Sequence, residues 1–161
     1  MTTVIDAVRK SPLAIELSPS EMVVLANVMS IRDLKTGEVL LPEGSRDSHL
    51  HVVVAGHVDV VHDSDQDRRL IYRLEPGDLI GELSFMDNEA RYAALIAFGP
   101  TEILVLERSD FETLIERSPK VVYKVMRAIM RVAHRVQRRL GLQLRDMEHY
   151  VYRTGAKQER D

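Results

Sequence analysis

Residues able to bind a phosphate and its sugar are concentrated in the stretch from Pro76 to Ala97. A turn there leads into Gly81-Glu82-Leu83, which can form one helical turn, and Arg91 follows nine residues after the glutamate. A helix N-terminus presents unpaired backbone N–H groups to an anion, and Gly81 lets the backbone approach that anion closely. The Arg91 guanidinium matches two phosphate oxygens, and the acceptor-only Glu82 carboxylate suits a sugar hydroxyl. The spacing therefore predicts a site for both parts of a sugar phosphate.

The same residues allow a plainer interpretation. Gly-Glu-Leu is a common tripeptide, and Glu82 with Arg91 would form a surface ion pair worth ~0 to 1 kcal/mol if both side chains were exposed. The motif by itself leaves both interpretations open, so the elements around it must distinguish them.

The elements around this motif predict a mainly β fold with flanking helices. Ser18-Pro19-Ser20-Glu21 is a capping box with proline at the first helical position, and N-terminal helices are expected over residues 3–30. Turn residues then separate six short β-type runs within residues 36–107. These runs are Glu38 to Leu41, Leu50 to Ala55, Val58 to Val61, Arg69 to Leu74, Arg91 to Ala97 and Glu102 to Glu107. Such spacing favours an antiparallel barrel or jelly roll.

Two further helices are predicted over residues 109–140. Ser109 begins a second capping box for a short helix, and Ser118-Pro119 starts a long helix that ends near Leu140. The long helix has apolar residues at alternating spacings of three and four, which is typical of a coiled-coil seam. The seam consists of Val122, Val125, Ile129, Val132 and Val136. It predicts a homodimer interface, and the alternative is an amphipathic helix that covers its own barrel.

The long helix also carries a basic ridge, which consists of Lys124, Arg127, Arg131, Arg135, Arg138 and Arg139. Three interpretations of this ridge are open: a solvated helix face, a surface for an acidic partner protein, and nonspecific binding to a nucleic-acid backbone that weakens steeply with salt.

Gly81-Glu82-Leu83, followed by Arg91 and Ala93, resembles the phosphate-binding cassette of cyclic nucleotide-binding domains, the sensor module of the catabolite activator protein family. The strand and turn pattern of residues 35–40 and 54–60 is similar to that family as well, so the resemblance covers roughly residues 11–140. The resemblance implies a double-stranded β-helix, or jelly-roll barrel, with an N-terminal helix and a long C-terminal helix.

The resemblance also implies a role for each cassette residue. Glu82 would bind the ribose 2′-hydroxyl and Arg91 the cyclic phosphate, while Gly81 and the backbone amides near Leu83 and Ser84 would complete the cradle. The implied ligand is cAMP, with cGMP as the second candidate. Arg127, Arg131 and His134 on the long helix are the candidate contacts to its base. The implied function is that of a regulatory homodimer in which the ligand shifts the long helix, with a downstream protein partner.

The cassette departs from the family pattern at four positions: Ile80, Ser84, Ala90 and Tyr92. Tyr92 replaces the small residue that normally follows the arginine. Its bulky ring beside the phosphate would narrow the pocket or alter base selectivity. A dimeric scaffold of the same fold that has lost nucleotide binding is therefore the alternative function.

The composition limits the remaining function classes. With 161 residues, 45% of them hydrophobic, the chain can build one core, which is expected over residues 1–140. The net charge of −3 gives no general reason to bind nucleic acid or a membrane. The sequence has no cysteine, no leader pattern and no run near the ~20 apolar residues of a membrane span. These features predict a cytoplasmic protein.

The end of the chain bears on DNA binding. Only 21 residues follow Leu140, and residues 141–161 are expected to form a partly disordered extension. A helix-turn-helix domain needs several elements with its own recognition helix. Sequence-specific DNA binding by this chain is therefore not expected.

A metalloenzyme is the most distant alternative. His49 and His51 would lie on one face of a strand, as the metal ligands of cupin enzymes do in a similar barrel. The cupin pattern continues to a glutamate where this chain has Ala55 and Gly56, and no third histidine follows in the expected region. The sequence therefore predicts neither a catalytic site nor a metal.

Overall fold

A computed structural model describes residues 2–64, 67–135 and 138. The elements in chain order are α1 (Val4–Lys10), a short 3-10 helix (Pro12–Ala14), α2 (Pro19–Ala26), β1 (Met29–Leu34), β2 (Val39–Leu41), β3 (His49–Ser64), β4 (Asp67–Leu74), β5 (Leu79–Ile80), α3 (Glu82–Asp87), β6 (Ala94–Glu107), α4 (Arg108–Glu112), α5 (Leu114–Arg117) and α6 over residues 119–135. The chain divides into two compact units, Met1–Ile129 and Met130–Asp161. The first unit contains the whole sheet.

The six strands form one antiparallel sheet, which confirms the predicted mainly β fold with flanking helices. The strand order is β1-β6-β3-β4, with β2 added to β6 and β5 added to β3. One apolar core cluster lies against this sheet and consists of Leu34, Leu40, Val53, Val58, Val60, Leu74, Ile80, Ala93, Leu95, Ala97 and Ile103. This core is built mainly from β3 and β6, which pair from His49↔Glu107 to Val61↔Ala94.

β3 and β6 each join two runs that were predicted as separate strands. The pairing between them shifts register on either side of Ala55, next to Gly56. Gly56 has φ +79°, and a Cβ there would lie only 2.7 Å from Thr101 Oγ1. Thr101 Oγ1 also donates to the His57 carbonyl at 2.9 Å. The glycine therefore bends a continuous strand at a bulge, where a turn was expected.

The predicted helical region 3–30 was too long at its C-terminal end. α2 stops at Ala26, and β1 pairs with β6 from Met29↔Leu106 to Leu34↔Thr101. The apolar residues Met29 and Ile31 alternate with polar ones. This period-two pattern is too short to be recognised as a strand when it follows a helix. The sheet therefore begins at residue 29, ahead of the predicted start at residue 36.

One of the two predicted capping boxes is present. The Glu21 amide donates to Ser18 Oγ at 3.3 Å, and the Ser18 amide donates to Glu21 Oε2 at 2.8 Å. Glu21 also accepts from Lys124 Nζ at 2.7 Å, which ties the start of α2 to α6. The lowered pKa of Glu21 follows from these contacts, with the Lys124 hydrogen bond first.

The capping box predicted at Ser109 was wrong. α4 begins at Arg108 directly after β6, and the preceding residue provides no side-chain cap. The Arg108 amide donates instead to the Ser48 carbonyl at 3.1 Å. The backbone of a distant loop thus satisfies the amide of the first helical residue.

One buried aromatic side chain, Phe85, anchors helix α3 to the core. Phe85 is 1% exposed, and its ring centroid lies 5.8 Å from that of Phe111 in α4. Arg108 Nη1 also lies 3.5 Å from the Phe85 carbonyl oxygen. α3 and α4 are therefore joined through the core.

We expect Phe85→Ala to lower the free energy of unfolding by about 3–5 kcal/mol, because it removes a fully buried ring and leaves a cavity. The neighbouring Met86 is 53% exposed, so Met86→Ala is the matched control and should change stability by no more than about 0.5 kcal/mol. Urea denaturation followed by circular dichroism measures both. Equal losses for the two variants would contradict the anchoring role of Phe85.

Candidate functional site

The predicted cradle begins where β5 ends. β5 pairs with β3 through His51↔Ile80, which brings Gly81 to the end of the buried core. Gly81 has φ +85° and ψ +24°, a left-handed conformation that favours glycine, and α3 starts immediately after it. The Phe85 amide donates to the Gly81 carbonyl at 2.8 Å. The short helical turn predicted from Gly81-Glu82-Leu83 is therefore present.

The segment between α3 and Arg91 is held by hydrogen bonds. Asn88 closes the helix in a left-handed conformation, and Ser84 Oγ donates to the Glu89 carbonyl at 3.1 Å. Arg46 Nη1 donates to the Asn88 carbonyl at 2.8 Å. The loop before β3 thus holds the spacer of the cassette.

The backbone of Arg91 is fixed on both sides by the same loop. Its amide donates to the Ser45 carbonyl at 2.8 Å, and its carbonyl accepts from the Gly44 amide at 2.7 Å. With the main chain held by these two hydrogen bonds, the Arg91 side chain extends towards Gly81. Its direction is therefore set by backbone contacts that do not depend on a ligand.

The Arg91 guanidinium lies directly against Gly81. A Cβ on Gly81 would collide with Arg91 Nη2 and would lie 2.9 Å from Cζ. The Arg91 side chain is only 11% exposed, and its Nε and Nη2 atoms make no hydrogen bond within the described chain. Burial lowers the pKa of Arg91, while the negative charges of Asp47 and Glu82 act in the opposite direction. The Arg91 side chain is therefore buried, and the exposed ion pair with Glu82 considered above does not describe it.

A carboxylate and two histidines, none of them singled out as phosphate-site residues from the sequence, lie beside this guanidinium. Asp47 Oδ2 is 3.5 Å from Arg91 Nη2 and 3.7 Å from His51 Nδ1, and Asp47 Oδ1 contacts His49 Nδ1. His51 is 4% exposed. Burial lowers its pKa to about 4, against the opposing charge of Asp47. His51 is therefore neutral at physiological pH.

These neighbours left no usable signal in the sequence. Asp47 lies in a turn-rich segment and reaches Arg91 across 44 positions, through the pairing of the loop before β3 with the cassette. Only that long-range pairing brings the two side chains together. The sequence left open whether the His51 ring would be packed or half-exposed, and in the structure it is packed.

Two tyrosines lie at the exposed side of the cassette. The Tyr92 ring is 70% exposed, and its hydroxyl is 3.4 Å from that of Tyr72 on β4. The pKa of Tyr72 is raised by burial, then by the Tyr92 hydrogen bond and the nearby negative charges of Glu82 and Asp78. Tyr72 is thus near Glu82, on the side of the site where the sugar was predicted, and sequence reasoning missed it.

The predicted base contacts remain predictions. Arg127 Nη2 lies 3.3 Å from Glu16 Oε1, and its guanidinium carbon lies 5.6 Å from the centre of the Tyr123 ring. Arg131 and His134 belong to the second unit, and no observation tests their contact with a base.

The predicted dimer seam also stays a prediction. Val125, Ile129 and Val132 are buried in the single chain, and Val122 is half-buried. Val136 lies outside the described residues. The burial of Val125 and Ile129 agrees with the alternative in which this helix covers its own barrel.

No group of three or more histidine and acidic side chains able to hold a metal occurs in residues 2–64, 67–135 and 138. The His49 and His51 ring centroids are 5.9 Å apart. His49 Nδ1 contacts the Asp47 carboxylate, and His51 Nδ1 lies 3.7 Å from it. Over the same described residues, helices of the length and hydrophobicity needed to span a membrane are absent.

The amino-acid sequence is similar to those of known proteins. A sequence profile described as the cyclic nucleotide-binding domain matches residues 31–118. A cyclic AMP receptor protein from Thermus thermophilus is 32% identical over 123 residues, which cover 75% of this chain and 56% of that protein. The chain spans between a third and about half of the length of the first curated relatives that it matches.

Solved structures give the same comparison at the level of the fold. A cyclic nucleotide-binding domain from Methylobacillus flagellatus superposes with a TM-score of 0.74 at 27% identity, covering 85% of this chain and 78% of that one. The N-terminal domain of a transcriptional regulator from Streptomyces coelicolor superposes with a TM-score of 0.68 at 29% identity, covering 81% and 94%. The predicted jelly-roll fold agrees with both.

We expect the buried His51 to make the fold sensitive to acid. Its pKa is about 4 in the folded chain and 6.5 in the unfolded chain, so below pH 6.5 the unfolded chain takes up a proton that the folded chain does not. Stability present above pH 6.5 is therefore lost progressively until the pH reaches about 4. The loss due to this group between pH 7 and pH 5 is about 2 kcal/mol.

Urea denaturation at pH 7 and pH 5 measures this loss. His51→Phe keeps a ring of similar size and should remove most of the histidine-dependent part, whereas His62→Gln, at an exposed histidine, should not. An unchanged pH dependence in His51→Phe would refute this assignment.

Proposed function

Because the chain belongs to the cyclic nucleotide-binding domain family, we propose that it is a regulatory module that binds cAMP through Arg91 and Glu82. The observation that carries the proposal is the Arg91 guanidinium, buried against Gly81 with two nitrogens that make no hydrogen bond within the described chain. Leaving buried donors unpaired is costly, and more so for a charged group. A phosphate oxygen pair would satisfy both nitrogens at once.

The remaining cassette residues suit the rest of a cyclic nucleotide. Glu82 is half-exposed in the first turn of α3 and contributes a negative charge near Arg91 and Tyr72. Its carboxylate is the acceptor for the ribose 2′-hydroxyl. The backbone amides of Leu83 and Ser84 belong to the first turn of α3 and complete the cradle around the phosphate.

The two tyrosines lie on the sugar side of the cassette, where the base attached to that sugar would also be within their reach. Tyr72 and Tyr92 present aromatic rings and hydroxyl groups at the exposed edge of the cassette. Aromatic rings stack on either purine, so these residues support cyclic purine nucleotides as a class. cAMP is the first candidate because one relative is a cyclic AMP receptor protein, and cGMP is the second.

A regulatory output would pass through the helices that follow the sheet. α3 is tied to α4 by Phe85 and Phe111, and α6 is tied to α2 by Lys124 and Glu21. Ligand at the cassette would shift the population of helix positions by no more than its difference in affinity for them. In this proposal the module works as a homodimer through α6 and passes the signal to a partner protein.

We expect cAMP to bind saturably to the wild-type chain in calorimetric titrations, with cGMP titrated in parallel. Arg91→Ala should weaken binding by about 30-fold to 1000-fold, because it removes two charge-assisted hydrogen bonds. Arg73→Ala is the matched control, since Arg73 pairs with Asp59 on the same sheet at 2.6 Å and lies outside the cassette. Absence of binding by the wild type would favour the scaffold alternative.

We expect Gly81→Ala to weaken cAMP binding at least about tenfold, because the new methyl group would occupy the position of the Arg91 guanidinium. Gly77→Ala is the control for backbone strain, since Gly77 also has positive φ, at +94°, but a Cβ there meets nothing within 4 Å. Titration of both variants measures the effect. Comparable affinities in the two variants would show that Arg91 does not need the space at Gly81.

A further inference from the structure

Asp47 presents its carboxylate to the same guanidinium that the proposed function assigns to the phosphate. Its Oδ2 atom lies 3.5 Å from Arg91 Nη2, and both side chains are about nine-tenths buried. Oδ2 makes no hydrogen bond within the described chain, and 3.5 Å is long for a charged hydrogen bond. The pair is therefore close enough for strong attraction, and its two facing atoms remain available to other partners.

The neighbours of Asp47 fix its orientation. Oδ1 contacts His49 Nδ1, and Oδ2 is also 3.7 Å from His51 Nδ1. A carboxylate held on one oxygen presents the other oxygen in a constant direction. His51 is buried and neutral, so it does not neutralise the Asp47 carboxylate. The charge of Asp47 therefore remains to balance that of Arg91 beside it.

The charge balance of the cluster changes when an anion binds. Asp47 and Arg91 together are neutral, and Glu82 adds a negative charge nearby. A cyclic phosphate brings one more negative charge beside them. Two anions then face one guanidinium in a poorly solvated place, where like charges repel strongly. Asp47 stabilises the empty site and opposes its occupation.

We propose that Asp47 is a resident counter-ion of Arg91 that positions the guanidinium in the empty site and lowers the affinity of the site for a cyclic phosphate. This inference rests on the proposed function, since the competing anion is the nucleotide. Asp47 is a positioning residue, because it acts through Arg91. Its effect is to raise the Kd of the site for a cyclic nucleotide.

Asp47→Asn tests the inference, because the amide keeps the shape and removes the charge. We expect cAMP to bind Asp47→Asn about tenfold more tightly than the wild type in calorimetric titrations. The matched control is Asp59→Asn, which removes the charge of a second Asp–Arg pair on the same sheet and should leave the affinity unchanged. Loss of a merely structural contact would weaken binding, so unchanged or weaker binding in Asp47→Asn overturns the proposal.

Thermal unfolding without nucleotide supplies the second measurement. Asp47→Asn should unfold at a lower temperature than Asp59→Asn, because Arg91 is left as a buried charge without a counter-ion. If Asp47→Asn folds only when cAMP is present, the counter-ion role is supported, because the phosphate then supplies the missing charge. A variant that cAMP cannot rescue contradicts it.

The same titrations separate this inference from the proposed function. If only Asp47→Asn binds cAMP, the wild type fails as a cAMP sensor while Asp47 is confirmed as the competing anion. If the wild type binds and Asp47→Asn binds no better, the sensor stands and the counter-ion role fails. If neither protein binds, both proposals fail.

Discussion

The burial of one positive charge is the constraint on which the site depends. Arg91 has two guanidinium nitrogens with no hydrogen bond in the described chain, although its side chain is almost fully enclosed. Such a group persists only where the surroundings hold it in place. Here the loop around Ser45 fixes its backbone, Gly81 leaves it space, and Asp47 balances its charge. Two parts of the chain, the loop that contains Ser45 and Asp47 and the turn at Gly81, thus serve one side chain.

The sheet brings these parts together because its two long strands run through the whole core. β3 carries His51 opposite Ile80, so the strand that bears the histidine also positions the glycine of the cradle. β6 begins three residues after Arg91 and pairs with β3, β1 and β2. A change in the core packing of either strand would therefore move the guanidinium relative to Gly81.

Local patterns predicted the parts of the site that are local. The helical turn of α3 after Gly81 was predicted from residue types within a few positions. The burial of Arg91 was not predicted, because it depends on the distant loop that contains Asp47. β1 was missed because its short alternating pattern follows a helix directly, and the break expected at Gly56 is a bulge within one strand. Asp47 and His51 could not be assigned to the site, since only the pairing of a loop with a distant segment brings them to Arg91.

Two Arg91 nitrogens that make no hydrogen bond within the described chain have a consequence for the lifetime of the protein in a cell. A ligand that satisfies them binds the folded chain alone, and a concentration of 100 times its Kd would add about 2.7 kcal/mol to stability. Cellular proteases act on the small unfolded fraction, which shrinks as stability rises. The abundance of such a chain would therefore follow the concentration of its ligand, so that signal strength would be recorded in the amount of protein as well as in its conformation.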